Sequence, residues 1–212
     1  MSYSVYYWTA GTKFVGRAFP IILLLEHAKQ KYELKAWPTE LPNDALPTFA
    51  PPAITTPEGV TFGQLPLCMY ELGKKLGYYP ENEVDQLFIK QVSLNCLDII
   101  ADYKGMDPDR ALKWADFNER CFSRSNGPYL CGDQIYFSDF YCLMALRIVS
   151  RYLPEGKTLG DNCKKFMAAI TALPTVKNWF DKGIPCQPNN TVYLTWVNDA
   201  VCRSLTWELH VT

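Results

Sequence analysis

The first part of the chain alternates between extended and helical patterns. Residues 2–8 (SYSVYYW) are aromatic and β-branched with a rough alternation and run into a Thr-Ala-Gly-Thr loop, which predicts a strand. From about Gly16 to Lys31, apolar residues recur at intervals of three and four, which predicts a helix with Pro20 in its first turn. Six prolines between residues 32 and 58 then exclude long helices and leave short extended pieces.

A predicted hairpin and helix complete this part. The segments PAI at 52–54 and GVTF at 59–62 lie on either side of a Pro-Glu turn, which is typical of two paired strands. A helix follows from about Leu65 to Leu76. The order of elements is therefore βαβ followed by ββα.

The remainder of the chain is helical in pattern. Apolar stripes with polar opposite faces predict helices at 82–104, 108–124, 137–152, 160–172 and 174–182. No strand pattern returns before residue 190. We therefore predict an α/β N-terminal domain over residues 1–78 and an all-α C-terminal domain over residues 83–212.

Composition and charge exclude several classes of function. The chain has 48% hydrophobic and 14% aromatic residues, enough to fill a dense core. Its net charge of −1 and lack of long Lys/Arg runs argue against nucleic-acid or anionic-membrane binding. The longest apolar run, residues 19–25, falls far short of the ~20 residues that a membrane helix needs.

Cysteine and histidine usage predicts a cytoplasmic protein without a metal. The eight cysteines form no CxxC pair, and the N-terminus lacks the pattern of a secretory signal, so reduced thiols are expected. His27 and His210 are isolated from other ligand-type residues, so we expect no metal site.

Five ordered segments carry a resemblance to a known family. They are YSVYYW at 3–8, GRAFPIILLLEHA at 16–28, LPTFAPPAI at 46–54, GVTFGQLPLCMYELGKKLG at 59–77 and YLCGDQIYFSDFYCL at 129–143. Together they resemble the cytosolic glutathione S-transferases, particularly the tyrosine-type pi and sigma classes. The resemblance implies a thioredoxin-like N-terminal domain, a helical C-terminal domain, and glutathione as co-substrate in a detoxification reaction.

The resemblance implies that Tyr7 is the catalytic residue. The family lowers the thiol pKa of glutathione and presents the thiolate to an electrophile, and a hydrogen-bond donor aimed at sulfur favours that ionisation. Tyr7 lies where the family's catalytic tyrosine lies, whereas Tyr6 faces the other side of the strand and is expected to pack. The loop after Tyr7 is about four residues longer than in the pi or sigma pattern, and its Thr12 is a rival whose ordinary role would be a turn or cap.

The implied glutathione-binding residues depart from the family pattern at two positions. They are Arg17, Trp37, Pro51, Pro52, Gln64, Leu65 and, reaching the neighbouring subunit's glutathione, Asp98. The residue before the cis-proline normally offers both N–H and C=O to the ligand, but Pro51 has no N–H. Leu65 stands where the family has a serine that holds the γ-glutamyl carboxylate at a helix N-terminus. No lysine near residues 41–45 matches the one that binds the glycyl carboxylate.

The remaining expectations concern the electrophile, the cap of one helix and the assembly. Trp8, Thr12, Phe14 and Tyr103 are expected to line a pocket for a hydrophobic electrophile. Asp139 matches a buried capping acid, while Tyr136 replaces the usual Ser or Thr and leaves Ser138 as a substitute cap. Phe49 lies within one residue of the aromatic that family members insert into a partner, so a homodimer is expected.

Three functions remain open at this stage. The first is a glutathione-dependent enzyme that conjugates or isomerises a hydrophobic electrophile. The second is a non-catalytic structural or ligand-binding relative with a degraded glutathione site. The third is a cleft that has been remodelled, through its long first loop, to accept a different small molecule.

Overall fold

A computed structural model describes residues 2–8, 16–102 and 105–182 of the 212-residue chain. These residues form two compact units. The first unit contains the described residues up to Leu65 together with the helix Pro174–Lys182, and the second contains those from Pro66 to Leu173. The domain boundary placed between residues 78 and 83 stays a prediction.

The first unit is built on a four-stranded mixed sheet. Its strands are β1 (Tyr3–Tyr7), β2 (Tyr32–Ala36), β3 (Ala53–Thr55) and β4 (Thr61–Gly63), in the order β2-β1-β3-β4. β1 pairs with β2 in parallel and with β3 antiparallel, and β3 pairs with β4 antiparallel. The predicted first strand and the predicted hairpin are both confirmed.

Seven α-helices lie in the described part of the chain. They are α1 (Phe19–His27), α2 (Leu65–Leu76), α3 (Glu83–Asp102), α4 (Pro108–Phe122), α5 (Phe137–Tyr152), α6 (Asp161–Ala172) and α7 (Pro174–Lys182). Each corresponds to a predicted helix, although the first begins with a 3₁₀ turn at Gly16–Ala18 and ends at residue 27 rather than 31. None of these helices is both long and apolar enough to cross a lipid bilayer.

α1 is a core helix of the first unit. Every residue from Phe19 to Leu25 is buried, which is expected of a helix that is apolar on all sides. The Phe19 ring meets the Trp179 ring of α7 edge-on, with centroids 4.6 Å apart. This contact explains why α7 groups with the first unit rather than with the other helices.

Two carboxylates in the second unit, one fully buried and one half-buried, accept hydrogen bonds from backbone N–H groups near helix starts. Asp139 is fully buried, and its oxygens accept hydrogen bonds from the backbone N–H groups of Leu130 (3.0 Å) and Tyr136 (2.8 Å). Ser138 is also fully buried, and its hydroxyl makes no hydrogen bond within the described residues. The expectation that Ser138 rebuilds the missing cap is therefore wrong, because Asp139 itself satisfies the backbone of the turn.

The second cap joins two helices. Glu119 of α4 accepts hydrogen bonds from the backbone N–H groups of Asn162 and Cys163 at the start of α6, both at 3.0 Å. Burial alone would raise the pKa of Glu119, but these donors and the Asn162 side chain lower it overall. A Cβ at Gly160 would lie only 2.3 Å from the Glu119 carboxyl carbon, so this close approach requires glycine.

We expect the pH dependence of folding to report on Asp139. Burial raises its pKa from the ordinary 3.8 to about 7, against the opposing effect of its backbone donors. The folded chain therefore holds this proton at pH values where the unfolded chain has lost it, so this residue's contribution to stability falls as the pH rises from about 4 to 7. At pH 5, Asp139→Asn should lower the free energy of unfolding by about 1–3 kcal/mol. In the variant, one of the two backbone N–H donors would face the amide NH₂ of asparagine, which cannot accept a hydrogen bond.

Urea unfolding of both proteins between pH 5 and 8 measures this effect. The difference in free energy of unfolding between the unaltered protein and Asp139→Asn should become smaller as the pH rises. Asp133→Asn, at an exposed position of the same turn, serves as the control and should change little at either pH. A penalty that widened with pH would contradict the raised pKa.

Candidate functional site

The end of β1 carries the candidate catalytic residue. The Tyr7 side chain is 5% exposed, and its backbone carbonyl accepts a hydrogen bond from the Trp37 N–H at 2.9 Å. Its phenolic oxygen accepts a second one, at 3.0 Å, from the backbone N–H of Arg17 in the 3₁₀ turn before α1. A phenol whose oxygen accepts such a bond is a stronger donor through its own O–H, since chained hydrogen bonds polarise one another.

Tyr6 faces the opposite side of the same strand. It is 1% exposed, and it packs in a core cluster with Trp37 and Ala53. Its hydroxyl shares a 3.0 Å hydrogen bond with the Thr55 hydroxyl. Adjacent tyrosines on β1 thus have different surroundings, because successive side chains of a strand point to opposite faces.

The proline pair forms a turn next to the sheet. The Pro51–Pro52 peptide bond is cis, and both residues are buried. The Pro52 carbonyl accepts a hydrogen bond from the Gln64 N–H at 3.2 Å. This bond joins the proline turn to the chain that enters α2, while Pro51 can offer a ligand only its carbonyl oxygen.

Gln64 has an unusual backbone. Its φ is +73°, in the left-handed region that residues other than glycine rarely adopt, and its side chain is exposed. Such backbone outliers cluster at binding and catalytic sites, where surrounding contacts hold them in place. The next residue, Leu65, begins α2 and is 2% exposed, so it offers a ligand its backbone N–H while its side chain packs inside.

Two tryptophans lie near the end of β1. Trp37 is 8% exposed, whereas Trp8 is 49% exposed. Their rings meet edge-on with centroids 6.4 Å apart. The pair therefore presents one half-exposed indole supported by a buried one, which is a surface suited to an apolar or aromatic ligand group.

The other predicted site residues fall outside this group. Asp98 is exposed on α3, in the second unit. Thr12, Phe14 and Tyr103 lie outside the described residues. The eight that belong to the first unit are Tyr7, Trp8, Arg17, Trp37, Pro51, Pro52, Gln64 and Leu65. Within the described ranges, no cluster of three or more His, Cys, Asp or Glu side chains could hold a metal ion.

Two features of this region escaped the sequence analysis. The donor to the Tyr7 oxygen is a backbone group, for which no side-chain pattern gives a signal. The second is a close approach at Gly63, where an added Cβ would lie 2.2 Å from the Thr48 methyl carbon in the loop before the prolines. A glycine inside a strand often marks such an approach, so this signal was present in the sequence.

Comparison with known proteins finds one family model that matches part of the chain. A family model described as the glutathione S-transferase C-terminal domain matches residues 103–183. No curated protein sequence matches the chain.

Solved structures match most of the chain. A glutathione S-transferase from Ascaris lumbricoides has a TM-score of 0.68 at 18% identity, covering 89% of this chain and 100% of that one. A Nu-class glutathione S-transferase from Haemonchus contortus has a TM-score of 0.68 at 19% identity, covering 88% of this chain and 98% of that one. A monomeric glutathione S-transferase from the hookworm Necator americanus has a TM-score of 0.69 at 18% identity, covering 85% of this chain and 97% of that one.

These matches establish the class of protein. The fold is that of the glutathione transferases, with a thioredoxin-like α/β part followed by an all-α part. The resemblance to the cytosolic glutathione S-transferase superfamily is confirmed, by a family model over the helical part and by fold over most of the chain.

Proposed function

We propose that this protein binds glutathione and uses its thiolate to conjugate or isomerise a hydrophobic electrophile. The observation that carries the proposal is the hydroxyl of Tyr7, which accepts a hydrogen bond from the Arg17 backbone N–H. A phenol polarised in this way donates strongly to a neighbouring sulfur. Donation to sulfur favours the thiolate over the thiol, and the thiolate is the nucleophile.

The other groups of the first unit fit the binding of a thiol peptide. The Pro51 carbonyl accepts from the ligand's cysteinyl N–H, in the manner of an added strand. The backbone N–H of Leu65 and the exposed amide of Gln64 receive the γ-glutamyl carboxylate at the start of α2, where the helix dipole favours an anion. Arg17 and Trp37 complete the binding residues that the family resemblance implies.

The missing donors predict weak binding. Without an N–H at Pro51, one neutral hydrogen bond is lost, at a cost of about 0.5–1.5 kcal/mol. Without a hydroxyl at Leu65, a bond to a charged carboxylate is lost, which contributes about 1.5–3 kcal/mol. Because each ~1.4 kcal/mol changes affinity tenfold, the dissociation constant for glutathione should be much higher than that of a site with both donors. A thiol present at millimolar concentration still occupies such a site.

The electrophile is proposed to bind beside the sulfur. The half-exposed Trp8, supported by Trp37, supplies an apolar surface near the end of β1. The family resemblance also implies roles for Thr12, Phe14 and Tyr103, which lie outside the described residues. A detoxification reaction in the cytoplasm is the context that the family resemblance favours.

A second candidate function has its own support. Pro51 and Leu65 both remove a ligand contact, and the Leu65 side chain is buried in the interior rather than available to a ligand. A non-catalytic relative that keeps the scaffold for structure or ligand binding would tolerate both changes. The two candidates differ in whether activity depends on Tyr7.

We propose that the protein forms a homodimer. Phe49 is 97% exposed in the loop before the prolines, so almost its whole surface is available for a partner to bury. On α3, Val84, Leu87 and Leu94 are all more than half exposed, and Asp98 lies one turn beyond Leu94 on the same face. In the proposed dimer, Asp98 reaches the glutathione amine of the neighbouring subunit.

The first test is the Tyr7→Phe variant. We expect its conjugation rate to fall about 10- to 150-fold, the equivalent of one lost hydrogen bond to a charged group. The pKa of bound glutathione should also rise, seen as a shift of the rate profile to higher pH. Tyr6→Phe is the matched control, because its hydroxyl bonds to Thr55 in the core, and its rate should stay close to that of the unaltered protein.

Calorimetric titration with glutathione complements these rate assays by measuring the dissociation constant. A dissociation constant above about 10 mM, or a rate that does not change in Tyr7→Phe, would favour the non-catalytic function instead.

The second test restores the missing hydroxyl. Leu65→Ser should bind glutathione about tenfold more tightly than Leu65→Ala. Both variants lose the buried leucine, so the comparison isolates the hydroxyl from the loss of packing. Equal affinities of the two variants in calorimetry would refute the view that a serine-type site has decayed here.

The third test concerns the dimer. Sedimentation equilibrium should give about twice the 24.2 kDa of one chain. Phe49→Asp should shift the protein towards the monomer, because a charge replaces the apolar group that the partner buries. Phe49→Leu keeps an apolar side chain and should remain dimeric. A monomeric mass for the unaltered protein would overturn the proposal and would agree with the monomeric Necator americanus structure.

A further inference from the structure

Two cysteines of the second unit point their sulfur atoms at each other. Cys96 lies on α3 and Cys142 on α5, two helices that pack side by side. Their Sγ atoms are 3.9 Å apart, and the Cys96 S–H donates to the Cys142 sulfur. The two residues are 46 positions apart in sequence and are 1% and 0% exposed.

We propose that Cys96 and Cys142 form a site of oxidative modification, at which hydrogen peroxide converts the two thiols into an intramolecular disulfide. The proposal rests on the sulfur–sulfur contact and on the two helices that carry it. It is independent of glutathione binding and of the role of Tyr7.

The geometry is close to what the bond requires. A disulfide needs a sulfur–sulfur distance of about 2.05 Å, so the two atoms must approach each other by just under 2 Å. The two sulfur atoms already face each other across the contact between α3 and α5, and the side chains and helices must shift to close the remaining distance. The hydrogen bond between the thiols keeps the reacting atoms together before the oxidant arrives.

The reaction balances with one hydroperoxide molecule. One thiolate attacks an oxygen atom of hydrogen peroxide, the S–O bond of a sulfenic acid forms as the O–O bond breaks, and the other oxygen leaves as hydroxide, which takes up a proton to become water. The second thiol then attacks the sulfenic sulfur, the S–S bond forms, and water is released. Two thiol hydrogens and two electrons pass to the peroxide, which is reduced to two waters.

Burial makes the modification slow in both directions. The hydrogen bond from Cys96 and burial together raise the pKa of Cys142, so little thiolate exists in the closed protein. Oxidation therefore proceeds through brief openings of the helix pair. Once the bond has formed, the same burial shields it from thiol reductants. The disulfide would therefore be a long-lived covalent cross-link between α3 and α5.

Cys121 of α4 is the rival partner. It lies near enough to both cysteines to interact with them electrostatically, and it is 6% exposed. The sulfur contact selects Cys142 as the partner of Cys96. The experiment has to distinguish these pairings, because all three thiols share one core.

The test treats the purified full-length protein with hydrogen peroxide and then alkylates it in denaturant. Peptide mass mapping should find Cys96 and Cys142 in one cross-linked peptide pair, with a loss of two mass units that a reductant reverses after unfolding. The oxidised protein should melt about 5 °C higher, because the bond closes a long loop of the unfolded chain. Cys121→Ala should keep the cross-link, and Cys142→Ala should lose it.

Other outcomes would overturn the proposal. A cross-link between Cys121 and Cys96, or between Cys121 and Cys142, would show that the proposed pair is wrong. Free, alkylated Cys96 and Cys142 after prolonged oxidation of the unaltered protein would show that the contact does not react, and this result needs no variant to fold.

Discussion

β1 is hydrogen-bonded along both edges, and the arrangement of the first unit depends on this pairing. β2 holds one edge in parallel and β3 holds the other antiparallel, so neither the direction nor the register of β1 can change without breaking two ladders. The alternation of its side chains then assigns Tyr6 to the core cluster and Tyr7 to the other face. A slip of one residue would exchange these two tyrosines and bury the candidate donor in the wrong place.

The candidate site is made chiefly from backbone groups, and these survive where side chains have changed. The Arg17 N–H donates to Tyr7, the Pro52 carbonyl joins the proline turn to Gln64, and the left-handed backbone of Gln64 leads directly into α2. Such groups come with the fold and do not depend on which side chain occupies a position. The side-chain hydroxyl at position 65 and the N–H at position 51 are single-residue properties, and both are absent here. The scaffold is therefore retained while two contacts that the family resemblance implies for a ligand cannot form.

In the second unit, buried polar groups stabilise the turns between helices. Asp139 and Glu119 each satisfy two backbone N–H groups at a helix start or a turn, where water would otherwise be needed. The cost of burying each carboxylate appears as the upward effect of burial on its pKa, and the hydrogen bonds offset that cost to different extents. The same core holds Cys96 and Cys142 in contact, and the hydrogen bond from Cys96 together with burial raises the pKa of the Cys142 thiol. The second unit thus combines acids that satisfy backbone groups near helix starts with two buried thiols in contact.

The sequence by itself determined the order and type of the elements, because hydrophobic periodicity and proline positions act locally. The helix at 65–76 and the hairpin after the prolines followed from such patterns, and the resemblance then indicated Tyr7, the proline pair and Gln64. Only the tertiary structure decided which groups touch. The Arg17 donor to Tyr7, the burial of Leu65 and Trp37, the capping by Asp139 rather than Ser138, and the sulfur contact between Cys96 and Cys142 all join residues through the folded backbone. Contacts of this kind depend on strand register and helix packing, which no local pattern in a single sequence encodes.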